Sequence, residues 1–122
     1  MTKLLIVDDE PENIELLSRR LTRRGFVVIS ALSAEEGIEK AVSEQPALIL
    51  MDIKMPAIDG FEATRRLKAR GETKHIPVIA LTAHAMQEDR SVAVAAGAND
   101  YETKPVDLER LLAKIAVLTA PG

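Results

Sequence analysis

The sequence predicts an α/β protein: a doubly wound, five-stranded parallel sheet with helices on both faces. Two observations carry this. Short strand-like segments, most of them apolar runs, alternate five times with stretches of helical periodicity, a pattern that right-handed crossovers close into a parallel sheet. The central run, Ala47 to Met51, is apolar without alternation and lies between Pro46 and Asp52, as suits a strand buried on both faces.

Each element has its own local reason. Lys3 to Val7 is apolar and stops at Asp8-Asp9-Glu10. Pro11 suits the first turn of a helix, where a missing N–H costs nothing. Ile14, Leu17 and Leu21 then recur at helical spacing until Gly25. Phe26 to Ser30 is a second strand. Ser33 with Glu36 three residues on forms a capping box for a helix through about Val42. After the central strand, Phe61 to Ala69 reads as helix and ends near Gly71. Pro77 to Leu81 is a fourth strand closed by Thr82. A helix covers about Gln87 to Ala96, with Gly97 as its stop. Ala98 to Glu102 is the fifth strand, and Asp107 caps a last helix over Leu108 to Leu118.

Composition narrows the function classes. At 122 residues the chain suits one domain, residues 1–122, and its 47% hydrophobic and 29% charged content argues for a folded protein. A net charge of -3 without a basic block speaks against nucleic-acid binding. Arg19, Arg20, Arg23 and Arg24 fall among Leu16, Leu17 and Leu21 and read as the solvated side of an amphipathic helix. Without cysteine there is no thiolate chemistry. No run is long enough to span a membrane and no signal peptide precedes Lys3, so a cytoplasmic location is expected.

The chemistry lies at the strand ends. In an open α/β sheet ligands bind beyond the carboxyl ends of the strands. One edge therefore gathers Asp8, Asp9, Asp52, Thr82 and Lys104. Singly, the acids could start turns, Thr82 could cap a helix and Lys104 could be solvated surface. Together they point to one crevice. Three carboxylates repel, so at least one pKa rises unless a cation intervenes. Oxygen ligands with room for water suit Mg²⁺, while the lack of His or Cys among them disfavours Zn²⁺. His75 and His84 stand apart. A carboxylate beside a metal, a hydroxyl and an ammonium suggests phosphoryl transfer through an aspartyl phosphate.

Four segments carry a resemblance: Leu5-Ile6-Val7-Asp8-Asp9-Glu10-Pro11, Leu50-Met51-Asp52 through Asp59-Gly60, Pro77-Val78-Ile79-Ala80-Leu81-Thr82-Ala83, and Ala96-Gly97-Ala98 through Lys104-Pro105. In this order they resemble the receiver domain of a two-component response regulator over nearly the whole chain. The resemblance implies a flavodoxin-like strand order 2-1-3-4-5. It implies that Asp52 accepts a phosphoryl group from a histidine on a sensor kinase or phosphotransfer protein. Asp9, Asp52 and the Lys54 carbonyl are expected to ligate Mg²⁺, with Asp8 acting through water. Lys104 is expected to contact the phosphoryl group, with a cis bond to Pro105. Thr82 and Tyr101 match the family's switch pair, biasing a helix–strand–helix face around Gln87 to Leu118 for a downstream partner. Lys54 and His84 flank the path of an attacking water and are expected to modulate dephosphorylation.

The expected role is therefore a phosphoacceptor signalling protein rather than an enzyme, a stand-alone receiver or relay shuttle, monomeric or weakly dimeric on phosphorylation. Three other readings stay open on sequence. A small-molecule phosphohydrolase is opposed by Lys54, which stands where haloacid-dehalogenase-type enzymes carry a second Asp, and by the lack of a cap domain. A phosphorylation-independent pseudo-receiver is opposed by the intact acid cluster. A receiver cut from a hybrid kinase or larger regulator would read much the same; Thr119 to Gly122 is too short for an output domain.

Overall fold

The computed structural model describes residues 2–83 and 87–120, with only the backbone described over 87–90. Its elements run β1 (Lys3–Val7), α1 (Pro11–Thr22), β2 (Val27–Ala31), α2 (Ala34–Glu44), β3 (Leu48–Asp52), α3 (Gly60–Ala69), β4 (Val78–Thr82), α4 (Gln87–Ala95), β5 (Asp100–Thr103) and α5 (Leu108–Thr119). All four strand pairings are parallel and the order is β2-β1-β3-β4-β5. This is the doubly wound order expected, with β3 at the centre between β1 and β4.

Two apolar layers sandwich the sheet. Leu17 and Leu21 of α1 and Leu111 and Ile115 of α5 pack on Leu4, Ile6, Leu48, Leu50, Ile79 and Leu81. On the opposite face, Ile38 and Ala41 of α2 and Ala63 and Leu67 of α3 cover Leu5, Val7, Ile49, Met51 and Val78. Every residue of β3 and β4 is buried. Their unbroken apolar sequence is the price of having helices on both sides.

The ends of the elements refine the sequence reading. The second to fifth strands lie one or two residues further along than expected, because ladder pairing continues into polar residues: Asp52 pairs with Leu81, and Thr82 with Thr103. Helix α2 runs to Glu44, past Val42. Gln45 follows in the left-handed region at φ 46°, and its side-chain amide donates to the carbonyls of Ala41, Val42 and Glu72. Helix α3 begins at Gly60, one residue early, because the Asp59 carboxylate accepts from the Glu62 N–H at 2.9 Å.

The cap of α2 forms as the spacing implied. Ser33 Oγ accepts from the Glu36 N–H at 3.1 Å, and the Glu36 carboxylate accepts from the Leu32 N–H at 2.7 Å, one residue before the usual partner. Ser33→Ala is expected to cost about 1 kcal/mol, read as a lower urea midpoint at unchanged slope. Of the arginines in and after α1, Arg19, Arg23 and Arg24 are exposed as expected. Arg20 instead turns along the molecule toward the Val106 carbonyl, at 3.4 Å.

Candidate functional site

The crevice is built from the ends of four strands, β1, β3, β4 and β5. Asp8 follows β1 directly and its N–H donates to the Ala31 carbonyl, so the residue continues the ladder and is buried. Its Oδ1 accepts from the Glu10 N–H at 2.9 Å, which turns the chain toward Pro11 and α1. Asp9, next in sequence, is half-buried. Asp52 ends β3 with its side chain 6% exposed. Carboxylate oxygens of Asp8, Asp9 and Asp52 all lie within 4.8 Å of one another.

Lys104 comes to the same point from beyond β5. Its N–H donates to the Thr82 carbonyl at 2.7 Å, and a cis bond to Pro105 follows. The ammonium stands 3.2 Å from Asp52 Oδ1 and 3.7 Å from Asp8 Oδ2. Thr82, buried at the end of β4, is one residue past the partner of Asp52. The five residues gathered on sequence grounds therefore share one sheet edge.

The connection after β3 folds back over this edge. The Lys54 N–H donates to Asp52 Oδ1 at 3.2 Å, fixing the carboxylate's rotation, while the Lys54 side chain is exposed. The Gly60 N–H donates to the Ile53 carbonyl at 3.1 Å. A Cβ on Gly60 would lie 2.3 Å from the Asp52 carbonyl oxygen, so this close return needs a glycine. Sequence inspection gave Gly60 no such role, because the contact exists only once the loop has closed. Beside the crevice a cavity of about 240 Å³ opens between α1 and the segment after β5, lined by Ile6, Leu17, Leu81 and Val106, with Asp8 and Lys104 at its edge.

Electrostatics follow from this packing. Burial pushes the Asp52 carboxyl above its ordinary value; the Lys54 N–H and the Lys104 ammonium oppose that shift, while the nearby Asp8 charge adds to it. Sequence reasoning expected a raised carboxyl from repulsion among the acids; at Asp52 the rise comes first from burial, with the Asp8 charge a smaller contribution and the Lys104 ammonium opposing it.

Tyr101 sits in β5 opposite Ala80, half-buried, on the same side of the sheet as Thr82. His84 lies outside the described residues. The sequence reading passed over Glu102, which is buried at 1% exposure, with Arg110 and Lys114 each 3.2 Å from its carboxylate.

Comparison with known proteins decides the family. Residues 4–116 match the pattern of the response regulator receiver domain. The chain belongs to this family. Among curated proteins, the receiver is 42% identical over 120 residues to protein PilH of Pseudomonas aeruginosa, covering 98% of this chain and 99% of PilH. Among solved structures, it is similar to the receiver domain of the sensor histidine kinase PA1611 from the same species, with a TM-score of 0.90, 32% identity and 98% of each chain covered. That structure has a magnesium ion coordinated in its active-site cleft. The chemotaxis protein CheY4 of Vibrio cholerae aligns with a TM-score of 0.90 and 29% identity, over 97% of this receiver and 98% of CheY4. In fold, this receiver shares the flavodoxin-like order of that structure. Among the described residues no helix is long and apolar enough to cross a membrane.

Proposed function

We propose that this receiver accepts a phosphoryl group on Asp52 from a phosphohistidine of a sensor kinase or phosphotransfer protein. The observation that carries the reading is the Lys104 ammonium bridging Asp8 and Asp52 beside a third carboxylate. An Asp52 oxygen forms the new P–O bond as the P–N bond to the donor imidazole breaks, and that electron pair returns to the nitrogen. Lys104 stands where it pairs with the phosphoryl oxygens, and the Thr82 hydroxyl is assigned a hydrogen bond to one of them.

The donor set fits a hard divalent cation: clustered carboxylates, one with its pKa raised by burial, and no soft ligand. Asp9, Asp52 and the Lys54 carbonyl are assigned as its ligands, with Asp8 holding it through water. Mg²⁺, when bound, supplies neutralising charge for the carboxylates and the incoming phosphoryl oxygens. Lys54 and His84 are assigned the approach of the hydrolytic water.

Thr82 and Tyr101, on one side of the sheet, form the proposed switch, which biases the α4-β5-α5 face for a protein target or for onward transfer. The protein is assigned to the cytoplasm, as a monomer or a weak phosphorylation-dependent dimer. It signals rather than turning over a substrate, apart from assisting its own phosphorylation and dephosphorylation.

The test is incubation with acetyl phosphate and Mg²⁺ followed by intact mass. One phosphoryl increment, absent with EDTA, is expected. No increment, together with no binding of beryllofluoride, would leave a phosphorylation-independent binding module instead. Lys104→Met is expected to weaken beryllofluoride binding by roughly tenfold or more, since it removes a charge-assisted hydrogen bond. A titration followed by amide NMR checks this, and equal midpoints would remove Lys104 from the site.

A further inference from the structure

The unused charges cluster at the open edge of β5. Register places Asp100 and Glu102 opposite Ile79 and Leu81, on the α1/α5 side of the sheet. Tyr101 and Thr103 point to the other side, opposite Ala80 and Thr82. Glu102 is therefore a buried carboxylate in the layer that holds Leu81, Leu111 and Ile115. A charge there needs a partner, and α5 supplies Arg110 and Lys114.

Lys114 does more than neutralise. Its ammonium lies 3.2 Å from Glu102 Oε2 and 3.6 Å from Asp100 Oδ1, and it donates to the carbonyl of Tyr101. It also stands 4.9 Å from the centre of the Tyr101 ring, within cation–π range. One side chain thus reaches from α5 around the edge strand, anchored by two acids on one side and touching the ring on the other. The anchors hold the ammonium in place whichever way the ring turns.

We infer that Lys114 is a positioning residue that sets the resting orientation of Tyr101, and so the ease with which the acyl-phosphate state forms. A ring that turns inward toward Thr82 leaves the fixed ammonium and gives up the cation–π contact. Conversion to the phosphorylated conformation works against that loss. This inference rests on the switch role proposed for Tyr101.

The test compares beryllofluoride midpoints in Mg²⁺, read by amide NMR, for wild type, Lys114→Met, Lys114→Arg, Tyr101→Leu and the double variant Lys114→Met/Tyr101→Leu. Lys114→Met is expected to lower the midpoint by roughly two- to fivefold, the range of an exposed cation–π contact. Lys114→Arg keeps the cation and should match wild type. In the Tyr101→Leu background the Lys114 effect should vanish. Tyr101 is the only tyrosine and the chain has no tryptophan, so intrinsic fluorescence reports this one ring. Its emission in free Lys114→Met should shift toward that of beryllofluoride-bound wild type.

An unchanged midpoint in Lys114→Met, or an equal change with and without the ring, overturns the inference. If instead Tyr101→Leu binds as wild type and wild-type emission ignores beryllofluoride, the switch reading itself fails. Should Lys114→Met not fold, Lys114→Gln carries the same expectation.

Discussion

Asp52→Asn should take up no phosphoryl group from acetyl phosphate and, in metal-free buffer at pH 7, unfold at a higher temperature than wild type. A complete loss of function is expected because the amide of Asn cannot replace the carboxylate proposed to form the acyl phosphate. The gain in stability has a separate cause. Burial holds the Asp52 carboxyl above its ordinary value, so between its unfolded and folded pKa the folded chain keeps a proton that the unfolded chain has lost. Stability therefore falls as pH rises through that window, as the buried carboxyl gives up its proton. Asparagine removes the buried charge while Lys104 retains Asp8 as a partner. A gain of about 1 kcal/mol, or ~4 °C in Tm for a domain of this size, is expected. Below the ordinary carboxylate range both states of the wild type are protonated, and the difference should close. Added Mg²⁺ should also narrow it, by stabilising the wild type. Scanning calorimetry at pH 3 and pH 7, with and without Mg²⁺, checks each arm. A variant less stable than wild type at pH 7 without metal would refute the electrostatic account.

Gly60→Ala is expected to destabilise the protein by about 3 kcal/mol, at the upper end for a single added methyl group. The new Cβ would meet the Asp52 carbonyl oxygen at 2.3 Å, Ile53 Cα at 2.6 Å and the Asp52 carbonyl carbon at 2.9 Å. All three are backbone atoms of β3 or the residue after it, so no side chain can rotate away. Relief requires the loop to lift, which stretches the Gly60 to Ile53 hydrogen bond and shifts the Lys54 N–H that orients Asp52. Phosphorylation by acetyl phosphate should slow along with the loss of stability. Gly71→Ala is the control: nothing lies within 4 Å of its added Cβ, and its urea midpoint should stay within about 0.5 kcal/mol of wild type. Equal midpoints for the two alanine variants would show that the loop yields more easily than its geometry implies.

How much of this was legible in the sequence depended on the range of the cause. Asp8, Asp9 and Asp52 could be placed because each ends or follows an apolar run, and Lys104 because it follows the fifth short strand; the parallel alternation puts all these ends at one edge. The helix caps at Ser33 and Asp107 are local and formed as read. The strand order came from the resemblance, since alternation alone allows several. Leu16 shows the limit of a cluster read by eye: it is adjacent to Leu17 yet 61% exposed, because neighbouring residues on a helix point about 100° apart. Glu102 looked like the end of a strand. Its burial depends on cations from α5 closing over it, and no pattern within the strand announces that. Gly60 was visible as loop punctuation, but its contact with the Asp52 carbonyl is a product of closure.

The sheet order also bears on when the molecule can act during its own synthesis. Asp8 follows β1 and Asp52 ends the central strand β3, whereas Lys104 follows an edge strand, β5, fifth in sequence. A nascent chain thus presents Asp52, the proposed acceptor, well before the cation that pairs with it has been translated. Until β5 docks on β4, the carboxylates have each other as neighbours without the ammonium between them. In chain order the crevice is supplied last, because its ammonium follows β5.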